Sequence, residues 1–230
     1  VGGPGACCGI IQSKWEGNQE KAEKVVDGTI NRFAGFQPKE VLSWCPSCVL
    51  HLGETMSGFR SASFDFDHVT NYLVERAEGL SKKFIRPINK RVLLHTHDGM
   101  DEVGQNVANL LRSVPGLTLV DLVSEPGYTC GGSGADRSPA LKQVARRKTV
   151  ARAEADDVDV LVSLYHGCHG QLAGLQTKEK YEVLNWTDIL VQALGQQPYD
   201  DVNKRYRMQS DWNMVLDEGE IFLKSNGIHM

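Results

Sequence analysis

One pattern occurs twice along this chain, and any fold must accommodate both copies. Ala6-Cys7-Cys8-Gly9 leads to a helical stretch, a short strand and then Trp44-Cys45-Pro46-Ser47-Cys48. Thr129-Cys130-Gly131-Gly132 leads to a helical stretch, a strand and then Tyr165-His166-Gly167-Cys168-His169. Cys8 and Cys48 lie 40 positions apart, and Cys130 and Cys168 lie 38 apart. Matching order with matching spacing implies two related halves.

Hydrophobic periodicity fills in the elements. Ala22, Val25, Val26, Ile30 and Phe33 follow helical spacing, and Val41–Trp44 reads as a strand running into Cys45. His68–Lys83 reads as a helix, Arg91–His95 as a strand, and Val103, Val107, Leu110 and Leu111 as a helix ended by Pro115-Gly116. Leu117–Val123 reads as a strand, Ser138-Pro139 as a helix start, Asp157–Leu164 as a buried strand and Trp186–Leu194 as a helix. Strands alternating with helices predict α/β architecture. The expected fold is two open parallel-sheet, Rossmann-like halves facing each other, over residues 1–90 and 91–200. An irregular C-terminal tail, residues 201–230, follows them. Between Arg91 and Cys130 there is room for a strand, a helix and a strand, whereas seven residues precede Cys8. The first half is therefore expected to lack that segment or to take it from another chain.

Composition narrows the function classes. The chain has 230 residues, 41% apolar, with a net charge of −4. Arg146-Arg147-Lys148 is the densest basic cluster, and it reads as a solvated helix face rather than a nucleic-acid patch. No apolar run approaches the roughly 20 residues of a membrane helix, and the glycine-rich start has no signal-peptide pattern. Neither nucleic-acid binding nor membrane insertion is expected.

The six cysteines are Cys7, Cys8, Cys45, Cys48, Cys130 and Cys168. Neighbours such as Cys7 and Cys8 cannot reach ordinary disulfide geometry. Cys45 and Cys48 have the Cys-x-x-Cys spacing of metal or redox chemistry in a reducing, cytoplasmic setting. Together these make two pairs of soft thiolate donors, suited to iron–sulfur clusters or zinc. In parallel sheets ligands gather at the carboxyl ends of strands. Cys45, His95, His97, Cys130, His166 and Cys168 all fall at such ends. A strand-to-helix turn at Cys45 and Cys48 would also set backbone N–H groups and a helix dipole against negative sulfur.

Cys7-Cys8-Gly9 and Cys45-Pro46-Ser47-Cys48 resemble the CCG-domain family, named for its Cys-Cys-Gly signature. The likeness runs over about residues 5–180 and is closest to the B-type component of heterodisulfide reductase. The family also includes cysteine-rich subunits of glycolate and succinate oxidoreductases. The resemblance implies a non-cubane [4Fe-4S] cluster held by five cysteines per half, four of which would be Cys7, Cys8, Cys45 and Cys48. It also implies electron supply from a C-type subunit with cubane clusters, itself fed by a flavoprotein A subunit.

The second half departs from that pattern. Asp98 stands where the family has a cysteine after the strand, Thr129 replaces the first cysteine of Cys-Cys-Gly, and Tyr165 replaces the first of Cys-x-x-Cys. Three readings stay open there. The half holds no metal and serves as a lid or substrate wall. Alternatively Cys130 and Cys168 act as redox or sulfur-carrying thiols. Or zinc or another metal binds through Cys130, Cys168 and some of His95, His97, Asp98, His166 and His169. The tail, with Trp212, Val215, Leu216, Ile221, Phe222 and Leu223, either packs on its own domain or docks a partner.

The expected function is an iron–sulfur oxidoreductase subunit of a heterodisulfide-reductase-like complex. It would act on thiol, disulfide or persulfide sulfur of a small molecule or carrier protein. Two alternatives stand beside it: a zinc-stabilised, non-catalytic scaffold, and a subunit of a glycolate- or succinate-type oxidoreductase.

Overall fold

Asn18 opens the first long helix by accepting a hydrogen bond from Lys21 N (2.9 Å). Helix α1 then runs Gln19–Ala34, and Ala22, Val26 and Ile30, each four residues apart, are buried along one side. A computed structural model describes residues 8–10, 12–13, 16–96, 101–124 and 138–228. The chain divides into two compact units, one ending at Ser81 and the other beginning at Lys82.

In the first unit, β1 (Glu40–Ser43) pairs in parallel with β2 (Asp65–His68), from Glu40↔Asp65 to Ser43↔His68. Helix α2 (Pro46–Gly58) makes the crossover between them. Its Leu52 joins Cys8, Val26, Ile30 and Phe64 in a buried core. Phe33 meets Phe64 edge-to-face at 6.1 Å, the orientation that aromatic quadrupoles favour. The stretch expected as one helix over 68–83 is instead the end of β2 followed by α3 (Val69–Glu75) and α4 (Ala77–Ser81). Arg76 divides the two helices, its guanidinium lying 3.6 Å from the Tyr72 ring centroid and bonding Tyr72 O.

The second unit holds a four-stranded, wholly parallel sheet in the order β4-β3-β5-β6. Its strands are β3 (Arg91–His95), β4 (Thr118–Val123), β5 (Val160–Ser163) and β6 (Glu182–Asn185). Val92, Leu93, Leu94, Val160, Leu161 and Val162 are fully buried. A strand covered on both faces reads as an unbroken apolar run, which is why β3 and β5 were evident in sequence. Helices α5 (Asp101–Arg112), α6 (Pro139–Ala155), α7 (His166–Leu172) and α8 (Trp186–Ala193) alternate with the strands. Strand β5 is shorter than the expected 157–164, because Asp157 takes a left-handed φ of 46° in the turn after α6. The chain passes from β3 to β4 on one side and returns to β5 on the other. The order in which strands are added therefore reverses between β3 and β5, where His95 lies opposite Ser163.

The repeat survives in the bonds at the strand ends. His68 ends β2 and caps α3, with Nδ1 accepting from Thr70 N (3.3 Å) and lying 2.8 Å from Thr70 Oγ1. Asn185 ends β6 and caps α8 in the same way, bonding Thr187 N (3.1 Å) and Thr187 Oγ1 (2.8 Å). Ser43↔His68 and Ser163↔Asn185 are corresponding last pairs of their ladders.

The tail is helical, which corrects the expectation of an irregular segment. Asp201 caps α9 (Val202–Met208) through Lys204 N (2.8 Å), and Asp211 caps α10 (Trp212–Ser225) through Asn213 N (2.9 Å). Capping aspartates offset the unpaired amides of a first helical turn, and they start both helices in a polar stretch. Helix α9 packs on α7 and on the 3-10 helix Ala173–Thr177. Arg205 then bonds Glu218 of α10 (2.7 Å).

Burial lowers the pKa of His68 below the ordinary value of 6.5, against the opposing effects of the Trp44 carbonyl and Asp67. Below pH about 6.5 the unfolded chain takes up a proton that folded His68 resists, so stability falls as the medium is acidified. Thermal melts between pH 7.5 and 5 are expected to show this loss, and His68→Asn to flatten it. An unchanged slope in the variant would assign the loss to other groups.

Candidate metal centre

Strand β1 delivers the chain into the turn at Cys45. Cys45 is the N-cap of α2, with extended backbone (φ −86°, ψ 121°) and Pro46 at the first helical position. Its N–H donates to Ser43 Oγ (3.1 Å), and its carbonyl accepts from Val49 N (3.0 Å). Cys48 lies one turn further along α2, three residues on, and therefore on the same side of the helix as its cap. Both cysteines are half-buried.

Cys8 is only 2% exposed. Gly9 makes that burial feasible. It adopts φ +73°, and a Cβ there would lie 2.9 Å from Ala22 O and 3.2 Å from Val26 Cγ2 of α1. The glycine of Cys-Cys-Gly thus serves both a left-handed turn and a close contact with α1. The chain behind it is secured by Ser13 N donating to Gly9 O (3.0 Å). Cys8 and Cys48 accordingly share the core of Val26, Ile30 and Leu52.

The three sulfurs are electrostatically interdependent. Cys48 hydrogen-bonds with Cys45 and with Cys8, which pushes its own pKa far up. The same contact with Cys48 brings Cys8 down to about 7, against burial and the charge of Cys45. Cys8 therefore ionises near neutral pH while Cys48 holds its proton. Further ionisation would gather negative sulfur in a small apolar space, which calls for a cation. Among the described residues, no three His, Cys, Asp or Glu side chains stand in the arrangement of a metal site. The thiols meet through hydrogen bonds instead. Their donor chemistry nevertheless suits a soft metal or an iron–sulfur cluster, and Cys7, the remaining member of the set, lies outside the described residues.

The second unit keeps the frame with other side chains. Tyr165 occupies the position of Cys45 and is 3% exposed, and Cys168 occupies that of Cys48 at 1%. His95 is buried at the end of β3, while His166 is exposed at the start of α7. Both ring nitrogens of His169 are engaged, Nδ1 with Ser163 Oγ (3.1 Å) and Nε2 with Asp201 Oδ2 (2.5 Å). His169 is thereby a tie between β5 and the tail. His97, Asp98, Thr129 and Cys130 lie outside the described residues.

The family model of the CCG cysteine-rich domain matches residues 4–53 and 95–173, more than half of the chain. This protein belongs to the CCG cysteine-rich family. Each matched stretch contains one copy of the internal repeat, and the first contains Cys7, Cys8, Cys45 and Cys48. Membership in the CCG family marks the chain as a metal-binding or iron–sulfur protein of redox type. A comparison with curated proteins found no match. Among the described residues, no helix of this CCG protein is long and apolar enough to cross a membrane.

Two residues at this centre were not foreseen from the sequence, Ser43 and His68. The repeat carried a signal for both: Ser43 aligns with Ser163, and His68-Val69-Thr70 with Asn185-Trp186-Thr187.

Gly9→Ala tests the turn. The left-handed φ and the contact with Ala22 O should cost on the order of 1–3 kcal/mol of stability in denaturant titration. A variant as stable as the parent would remove Gly9 from the account of how Cys8 is placed.

Proposed function

We propose that this chain is an iron–sulfur redox subunit in which Cys7, Cys8, Cys45 and Cys48 hold a non-cubane [4Fe-4S] cluster. The observation that carries the reading is the meeting of Cys8, Cys45 and Cys48 through shared hydrogen bonds, beside an apolar core that takes in Cys8 and Cys48. These three are separated by up to 40 positions, and the CCG match spans them. When bound, the cluster supplies one-electron chemistry.

The protein's own contribution is electrostatic and steric. Cys8, with a pKa of about 7, becomes a thiolate donor near neutral pH at little cost. Cys45 caps α2 and Cys48 lies in its first turn, where the helix dipole favours negative sulfur. Leu52, Val26 and Ile30 keep water from the inner side of the set. Cys168 and Tyr165, buried in the second unit, support assigning the cluster to the first half alone.

The substrate class that goes with this site is sulfur in thiol, disulfide or persulfide form. The partners proposed with it are a C-type subunit carrying cubane clusters and a flavoprotein A subunit. Apolar side chains left exposed on α10 support a life in a complex: Trp212 is 63% exposed, Leu216 69% and Phe222 62%.

Anaerobically purified protein should be brown and contain iron and acid-labile sulfide. An anomalous map at the iron edge should place iron in the first half only. Cys45→Ala and Cys48→Ala should each lower bound iron by roughly tenfold or more, since even indirect supports of a metal matter on that scale. Cys168→Ala should retain it. Colourless protein carrying zinc would replace this reading with the scaffold, and iron loss in Cys168→Ala would overturn the asymmetry.

A further inference from the structure

We infer that His68 is a positioning residue for Cys45, holding the peptide that precedes it so that the sulfur faces Cys48. The inference rests on the proposed reading of Cys45 as a ligand, and it goes beyond that reading by assigning a residue outside the cysteine pattern. His68 is 3% exposed and stands at the end of β2, opposite Ser43, the last residue of β1. Its Nδ1 is taken by α3, accepting from Thr70 N (3.3 Å) beside Thr70 Oγ1 (2.8 Å). A ring whose Nδ1 accepts carries its proton on Nε2. That Nε2 lies 3.2 Å from Trp44 O, so the N–H donates to the carbonyl just before Cys45.

The backbone around Cys45 is then fixed at three points. His68 holds the carbonyl of residue 44, Ser43 Oγ holds the Cys45 N–H (3.1 Å), and Val49 N holds the Cys45 carbonyl (3.0 Å). With both flanking peptide planes fixed, the direction of the Cα–Cβ bond is fixed as well. A sulfur that must meet Cys48 and Cys8 is aimed by the frame rather than by chance packing.

The second unit shows that this tie is separable from helix capping. There Asn185 caps α8 and its Nδ2 reaches Ser163 O (3.2 Å), the position of Ser43. The next carbonyl, Leu164 O, is held by a different side chain, Trp186 Nε1 (3.0 Å). The first unit has Val69 at the position of Trp186, with no donor to offer. The longer imidazole of His68 does both jobs, capping with Nδ1 and tying with Nε2.

This division yields a crossed test in the full chain. Asparagine reproduces the Nδ1 position and glutamine the Nε2 position of histidine. His68→Asn should keep the cap and melt close to the parent, while releasing Trp44 O. His68→Gln should melt lower and keep the tie. In anaerobic, iron-loaded protein challenged with a chelator, His68→Asn should lose iron about tenfold faster, the lower end of what outer supports of a metal contribute. His68→Gln should lose it at the parental rate. In metal-free protein, iodoacetamide should alkylate Cys45 several-fold faster in His68→Asn than in the parent or in His68→Gln, read by peptide mass spectrometry. Parental iron retention and parental Cys45 alkylation in His68→Asn would overturn the inference, as would equal changes in both variants. If the parent binds no iron, the proposed function fails, and the alkylation rates alone decide the role of His68.

Discussion

Three thiols in mutual contact beside an apolar core cannot all be anions without a cation among them. Cys48 resolves that conflict by keeping its proton while hydrogen-bonded to both Cys8 and Cys45, which lets Cys8 ionise near neutral pH. Much of the first unit can be understood from this constraint. Gly9 lets Cys8 reach the core against α1, and β1 delivers Cys45 at the point where α2 begins. The N-terminal end of α2 offers partial positive charge to the pair Cys45 and Cys48, while Cys8, the thiol that ionises first, is held by its hydrogen bond with Cys48.

The two halves of the repeat show what happens when the thiols are withdrawn. In the second unit the strand–turn–helix frame persists, as do the last strand pair and its capping residue. Tyr165 and Cys168 go fully into the interior, and the strand β5 ahead of them is buried along its whole length. The corresponding β1 of the first unit is alternately exposed and half-buried. The frame is therefore common property, and the chemistry depends on a small number of substitutions at one end of it.

Legibility in the sequence followed the local pattern more than burial alone: β1, alternately exposed and half-buried, was legible, whereas β6, buried at three of its four residues, was not. β3 and β5 were evident because both faces of each are covered, and α1 and α5 because each buries a regular stripe. β2 and β6 were missed. Each has only four residues, and the two aspartates of Asp65-Phe66-Asp67-His68 oppose strand propensity. Parallel pairing of β2 to β1 overrides that local preference. The tail hid its helices because they begin at aspartate caps within a charged run, with no buried stripe to betray a period. The cysteine pairs stood out by residue type alone. His68 did not, because its role depends on a carbonyl 24 positions away that no spacing rule connects to it.

Asp201 gives the tail a reach that its position in the chain would not suggest. One carboxylate oxygen starts α9, and the other holds His169, whose opposite nitrogen meets the hydroxyl of Ser163 in the central sheet. A cut made just before residue 201, to trim what looks like an appendage, would deprive an interior histidine of its acceptor. The polar end of a core strand would be unsettled with it. In this molecule the border between domain and extension runs through a single side chain.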